Sequence, residues 1–369
     1  MSGALKERTF SEVKRLCCAG LDGPELLGAV VERLRRVVPF EAYCASTTDP
    51  ASGLVTHSLA EEMGGAEEAA IFFDYLYFEH DMDQLKNMVQ SRRPVVLLSE
   101  NVGNRLEKSA RYLELLRPLG LAYEMRGVFA AGGYMWGSMD LIRAKGQPDF
   151  EPREVALLRR IAPHLGHGLK IAALREQAPL EDGGAEIPGV LTLDHRGEVI
   201  QYTPAAERWL RDLEDLSSGW RQWAGLPPAV RMVVLALRRA LKPGCEQDVE
   251  SEPRLRTRTR SGRWLTLYGS LTEATPGRPN ETIVVIEPTK PEEVLPFSIA
   301  AYGLSSREEE IVKLITRGMS TSQISNMLFI SEYTVQNHLQ NAFEKVGVRS
   351  RRELVKRLFF DNLYPSLFG

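Results

Sequence analysis

The chain has 369 residues, 43% hydrophobic and 26% charged, with a net charge of only −3. That length calls for two or three domains with ample core, and the even charge balance gives no global nucleic-acid footprint. No window approaches the ~18 apolar residues of a membrane span, the charged amphipathic N-terminus lacks a signal-peptide core, and Cys17, Cys18, Cys44 and Cys245 have no metal-ligand spacing, so a cytoplasmic protein with reduced thiols, no membrane partner and no cofactor is expected.

Residues 10–18 and 25–38 carry helical periodicity, and Pro39 stops the second helix. Residues 40–46 alternate as a strand, Asp49-Pro-Ala-Ser-Gly53 is a turn, and residues 54–59 return as a paired strand. The aromatic run 71–80 reads as a helix, 94–98 as a short buried run and 109–116 as a helix. Residues 124–130 and 134–143 form a hairpin around Gly132-Gly133, and a closing helix starts near Phe150 and runs through Leu157, Ile161 and Leu165. The hairpin GGYMWGSMDL followed by FEPREVALL resembles the GAF domains of LuxR-type regulators, mostly in this second half. The resemblance implies a small-molecule or dimerisation module over 1–178. Tyr43, Phe73, Tyr77, Tyr123 and Trp136 are candidate ligand-binding residues, with Tyr43, Cys44 and His57 as polar tips; plain core is the commoner role for such aromatics. His164 and His167 lie three apart on the closing helix, a spacing shared by metal pairs and by structural histidines.

The acidic, Pro- and Gly-containing stretch 177–187 reads as a linker. Residues 189–202 are a hairpin, Pro204 opens a helix capped by Thr203, 227–241 is a second helix, and 254–259, 264–271 and 282–287 are three antiparallel strands. The hairpin with PAAERWL resembles a reduced PAS domain over 187–288. His195 is expected in a solvent-facing turn. Arg254, Arg256, Arg258 and Arg260 fall on one strand face, as a solvated edge or a docking strip. Residues 289–302, punctuated by Pro291 and Pro296, form a stiff linker.

Beyond it, Ser305 and Glu308 make a capping box, Ile311, Leu314 and Ile315 one apolar face, and Gly318 a stop. Ser320 and Gln323 box the next short helix, and Ser331 caps another with Glu332 in its first turn. On that helix Val335, Leu339, Ala342, Phe343 and Val346 form one stripe. The other side is rich in amides and hydroxyls, which can bond base edges in the major groove, whereas a solvated face is usually rich in Glu and Lys. On spacing alone this is either a helix-turn-helix or an amphipathic hairpin. The strings LSSREEEI, GMSTSQIS, LFISEYTVQNH and KVGVRSRREL closely resemble the LuxR-type DNA-binding domain over 303–360, so the fold class expected is a multidomain α+β chain: GAF-like and PAS-like α/β sensor domains, then an all-α four-helix LuxR-type domain at 303–369. Gln323 stands where the family has Glu, and Gln336 where it has Lys; the second departure loses a phosphate or guanine contact and points to an A·T-leaning half-site.

DNA contacts are expected from Ser320, Ser331, Tyr333, Arg349 and Arg351 on phosphates, and from Thr334, Gln336, Asn337, Gln340 and Asn341 on base edges. His338 either joins them or packs on the first helix, and Lys345 acts through charge. The resemblance implies a homodimer on double-stranded DNA, paired through Leu354, Val355, Leu358 and Phe359 on an inverted repeat, with RNA polymerase as partner for an activator. A G-x-x-x-x-G-K-[ST] loop, a receiver-type acidic pair and a Ser-His-Asp or H-E-x-x-H set are all missing, so no enzyme is expected. Control by a small-molecule effector in the front domains is the leading expectation; the alternative is a ligand-independent regulator whose front domains only dimerise or bind protein.

Overall fold

The computed structural model describes residues 3–77, 85–174, 187–214, 226–240, 253–259, 261–273, 280–290, 293 and 302–360. The chain divides into two units, Met1–Ala173 with Ala185–Pro288, and Leu174–Gly184 with Thr289–Gly369. The linker stretch 177–186, Arg260, Cys245, most of the 289–302 connection and the end from 361 lie outside the described residues.

Helix α1 spans Gly3–Leu16 and α2 spans Gly23–Leu34. Asp22 starts α2 through a complete capping box, accepting from Glu25 N at 2.8 Å while Glu25 accepts from Asp22 N, with Pro24 inside the first turn. Helix α2 ends at Leu34, four residues short of the expected 38, and the chain leaves through a turn before Pro39. Strands β1 (Ala42–Thr48) and β2 (Val55–Glu61) flank a turn built on Asp49, whose carboxylate accepts from Ser52 Oγ at 2.7 Å and Ala51 N at 3.1 Å. Helices α3 (Ala66–Tyr77) and α4 (Leu85–Gln90) lead to the short β3 (Val95–Leu97). The helix expected over 109–116 is a wide π-type turn at Tyr112–Leu116, closed by Arg117 N on Tyr112 O at 2.8 Å. The wider turn lets Arg111, Tyr112, Leu115 and Leu116 all face inward.

Strands β4 (Leu121–Ala131) and β5 (Tyr134–Ala144) form the hairpin around Gly132 and Gly133, whose φ of 63° and 82° suit a type I′ turn. The sheet order is β2-β1-β5-β4-β3, antiparallel throughout. Helix α6 (Pro152–Leu174; α5 is the single turn Leu98–Asn101) lies on one face. It sits so close that a Cβ on Gly166 would stand 2.3 Å from Ala130 O, and one on Gly137 2.7 Å from Leu169. His164 packs edge-on against Phe10 at 5.5 Å.

The second sheet uses β6 (Gly189–Leu193), β7 (Val199–Tyr202), β8 (Arg254–Arg258), β9 (Trp264–Leu271) and β10 (Thr282–Pro288). Its order, β7-β6-β10-β9-β8, repeats the first sheet's plan: the opening strand lies between the second and the fifth. Helices α7 (Pro204–Glu214) and α8 (Pro228–Ala240) come between β7 and β8. Helix α8 buries Val230, Met232 and Val233 in a cluster that joins Leu255, Leu267 and Val284 of its own sheet to Val55, Phe72 and Phe73 of the first. The two sheets therefore share apolar core. Strand β8 adds polar ties: Arg256 N donates to Asp49 Oδ2 at 3.2 Å and Arg258 Nη1 to Ala172 O at 3.3 Å. Arg256 and Arg258 thus tie β8 to the first half, the Arg256 guanidinium also lying 3.6 Å from Asp49 Oδ2, while the exposed Arg254 lies over the Tyr268 ring of its own sheet at 5.1 Å. These two half-buried arginines are not the solvated edge expected. His195 is exposed in its turn.

The second unit holds α9 (Ser306–Thr316), α10 (Thr321–Leu328), α11 (Glu332–Val346) and α12 (Arg351–Val355), the last continuing into a π-type turn to Phe360. Their core is Ile311, Val312, Ile315, Ile324, Val335, Leu339, Ala342, Val346, Leu354 and Leu358. Among the described residues no helix is long and apolar enough to cross a membrane.

Candidate nucleic-acid interface

Four N-caps set this unit, Ser350 Oγ accepting from Glu353 N at 3.2 Å at the start of α12. Ser305 Oγ accepts from Glu308 N at 3.3 Å, Ser320 Oγ from Gln323 N at 3.2 Å and Ser331 Oγ from Thr334 N at 3.1 Å. Gln323 Oε1 accepts from Ser320 N at 2.7 Å, so Gln completes the box that Glu makes elsewhere. The bend between α10 and α11 turns on Phe329, which adopts the left-handed conformation (φ 54°) while its ring stays 94% exposed. Its N–H and that of Ile330 both return to Ser325 O. Gly347 (φ 76°) ends α11, with its N–H and that of Val348 on Phe343 O.

Helix α11 is two-sided. Val335, Leu339, Ala342 and Val346 are buried, while Tyr333, Gln336, Asn337, Gln340 and Asn341 are exposed and Thr334 and His338 half-buried. Gln336 Nε2 donates to Thr321 Oγ1 at 3.2 Å, which places its amide beside the N-terminus of α10. Ser331 is exposed next to that face and Ser320 at the start of α10. Residues 303–360 contain nine basic and six acidic side chains in a chain that is acidic overall.

Lys345, expected to act through charge, and Arg351, an expected phosphate contact, have other work. Lys345 Nζ is 2.6 Å from the buried Glu308 carboxylate, tying α11 to the cap of α9. Arg351 donates to Met319 O. Arg349 is exposed. The expected pairing surface is also revised: Leu354 and Leu358 are fully buried in the unit's own core, leaving Val355 half-buried. Their spacing turns them toward α9 and α11 and not outward. The side chain of Phe359 lies outside the described residues.

Of the candidate ligand residues whose side chains are described, Phe73 and Tyr123 meet at one apolar cluster, while Tyr43 and Trp136 lie outside it. Phe73 is buried in the cluster with Phe72 and Met135. Tyr43 stands on the opposite sheet face from Cys44, since strand neighbours alternate, and is half-buried beside Phe40 at 6.0 Å. Tyr123 pairs with Arg143 across the hairpin. Trp136 occupies a bulge between the pairs Phe129↔Gly137 and Ala130↔Met135, donates to Ala131 O at 3.0 Å, and stays outside the cluster of Phe73. Tyr77 ends α3, and its side chain lies outside the described residues. His57 is buried, and burial pulls its imidazole down to about 4, so it is neutral. Reading the sequence for aromatics missed a buried charged set, Arg111, Glu124, Arg126 and Asp140. Its signal was there: Glu124 and Arg126 alternate in an otherwise apolar strand, with Asp140 across the hairpin.

A family model for bacterial regulatory proteins of the luxR family matches residues 303–358. The spore germination protein GerE of Bacillus subtilis is 44% identical over 55 residues, 15% of this chain and 74% of that protein. The CsgBAC operon transcriptional regulatory protein of Escherichia coli is 44% identical over 52 residues, 14% of this chain but only 24% of that protein. A solved GAF domain/HD domain protein from Geobacter sulfurreducens covers 42% of this chain and 98% of that one at 17% identity, with a TM-score of 0.33.

Proposed function

The chain belongs to the LuxR family of bacterial regulatory proteins, a family of DNA-binding transcription regulators and not of enzymes, and from that membership we propose that it is a cytoplasmic, sequence-specific regulator that lays α11 in the major groove as a homodimer on an inverted repeat, under small-molecule control from its front domains. The observation that carries the reading is the exposed row Gln336, Asn337, Gln340 and Asn341 opposite the buried stripe of α11. Gln and Asn bond adenine N6 and N7 together, so the half-site leans to A·T. Two copies of α11 would reach successive major grooves ~34 Å apart, about one duplex turn. GAF-like and PAS-like identities for the two sheet halves belong to the same proposal.

Site selection with the purified full chain tests it. Asn337→Ala and Gln340→Ala are each expected to lose about 1–3 kcal/mol at the selected site and to relax one base position. Gln336→Lys is expected to move the preference toward guanine at its position. Selected sites that are identical for all of these variants refute the docking.

A further inference from the structure

The register of the first sheet puts a polar row on one face. Ser58 stands opposite Ser46, Cys44 opposite Asp140, and Asp140 opposite Arg126. Glu124 lies two residues along the same strand face. All are at most 3% exposed. Arg111 covers the row: its Nε and Nη2 hold the two oxygens of Glu124 at 2.6 and 2.7 Å, and its guanidinium lies 4.6 Å over the Phe72 ring. Arg126 Nε donates to Asp140 Oδ1 at 2.7 Å and Nη2 to Glu124 Oε1 at 3.3 Å. Its third nitrogen, Nη1, is buried and has no hydrogen-bond partner among the described residues.

A purely structural ion cluster is stable when every donor is satisfied, and an unmade buried donor is costly. With Asp140 ionised the formal charges balance, two guanidiniums against two carboxylates; burial and the adjacent Glu124 raise the Asp140 carboxyl to about 7, so the balance holds above that pH. A carboxylate or an ammonium added here would leave one buried charge uncompensated. An uncharged group with an acceptor oxygen completes Nη1 and leaves the balance intact. On the same sheet face, Ser46 and Ser58 share a hydrogen bond and Cys44 Sγ is 3.6 Å from Ser46 Oγ, so rotatable hydroxyls can donate or accept as a ligand requires. Burial raises the Cys44 thiol to about 12, which keeps it neutral and excludes it as a nucleophile.

We infer that the first sheet domain binds a small uncharged molecule whose carbonyl-type oxygen accepts from Arg126 Nη1, with Cys44, Ser46 and Ser58 as its polar neighbours on the same face. The inference rests on the reading of the front half as a small-molecule sensor and names its ligand class and its floor.

The test is thermal shift of the full chain against two matched sets at millimolar concentration: 2-pyrrolidone, 2-piperidone and hydroxyacetone, and butyrate, valerate and lactate. At least one neutral compound is expected to raise the melting temperature in step with its concentration. The paired variant R126Q with D140N, which removes one charge of each sign, is expected to weaken that compound about 10- to 100-fold, the value of one hydrogen bond to a charged group. If that variant does not fold, Ser46→Ala with Ser58→Ala alters no charge and is expected to weaken the same compound. Response to the carboxylates alone, or to nothing in the neutral set, overturns the inference. A neutral compound whose shift survives both variants binds elsewhere, which removes this site and leaves small-molecule control standing. Operator selection by the ligand-free chain is scored separately, so failure of the regulator reading is distinguishable from failure here.

Discussion

Replacing Lys345 with Met removes the Nζ that sits 2.6 Å from Glu308 Oε2 and keeps the aliphatic stem. The carboxylate is 5% exposed and the lysine side chain 41%. A hydrogen bond to a charged group is worth about 1.5–3 kcal/mol when desolvated; the exposure of the lysine reduces that to about 1–2 kcal/mol. Glu308 keeps the Ser305 N–H at 2.7 Å, so the loss is that of one partner and not of the whole carboxylate. Native-state hydrogen exchange of the α11 amides in the full chain reads it as a local opening free energy. The pH dependence has a fixed sign. Burial raises the Glu308 carboxyl, but the Lys345 ammonium and the Ser305 backbone outweigh it, and the group ends below its ordinary 4.5. The contribution is therefore fully present above about pH 4.5 and fades as pH falls through the lower folded value, so wild type and variant converge in acid. DNA affinity against salt gives the second reading. A lysine committed to Glu308 leaves the slope of log K on log salt unchanged, whereas a phosphate contact removes about 0.9 from it. Unchanged exchange together with a flatter slope would refute the pairing.

Arg111→Met is expected to cost about 3–5 kcal/mol because Glu124 is left buried with less compensation, while Arg111→Met with Glu124→Leu recovers most of it; urea midpoints compare the two. His57, buried and neutral, lowers stability as pH falls from about 6.5 toward about 4, by up to about 3 kcal/mol, since the unfolded chain takes the proton first. His57→Gln is expected to flatten that acid limb in a pH series of thermal melts. Phe329→Asn is expected to gain about 0.5–1 kcal/mol, because the left-handed conformation suits Asn better and the 94% exposed ring gives up no packing. A loss on that substitution would show the ring packing in solution.

Much of this was legible because local rules and tertiary packing agree. Ser305, Ser320 and Ser331 are caps whose partners lie within three residues, and the Gly132-Gly133 hairpin sets its own register. The amide face of α11 follows from a period of 3.6. What was not legible depends on contacts far apart in sequence. Arg256 looked like a solvated edge because Asp49 is 207 residues away. Leu354 and Leu358 looked available for a partner because periodicity gives an apolar face but not its occupant, which here is α9 and α11. Trp136 looked like a pocket wall because the bulge that rotates it follows from one extra residue in the ladder. The charged row was hidden by treating strand charges as surface.

The ties within the second unit bear on how strongly it should respond to salt. Arg307 donates to Leu328 O at 3.0 Å and pairs with Glu310, Lys313 pairs with Glu309, Lys345 with Glu308, and Arg351 holds Met319 O. These four stabilise helix ends and crossings, and each would have to give up a partner to meet a phosphate. Arg317, Arg349, Arg352 and Lys356 are exposed and stand outside those ties. If only such side chains displace counterions, the slope of log K on log salt is at most about −4 per protomer, against roughly −8 if all nine basic residues took part. Affinity then rests more on the amide face than on charge, so truncating Asn337 or Gln340 should weaken specific sites far more than random duplex. A measured slope near −8, with random and selected duplex losing affinity equally in those variants, would mean that the ties open on DNA and that α11 is held by its charges and not by its amides.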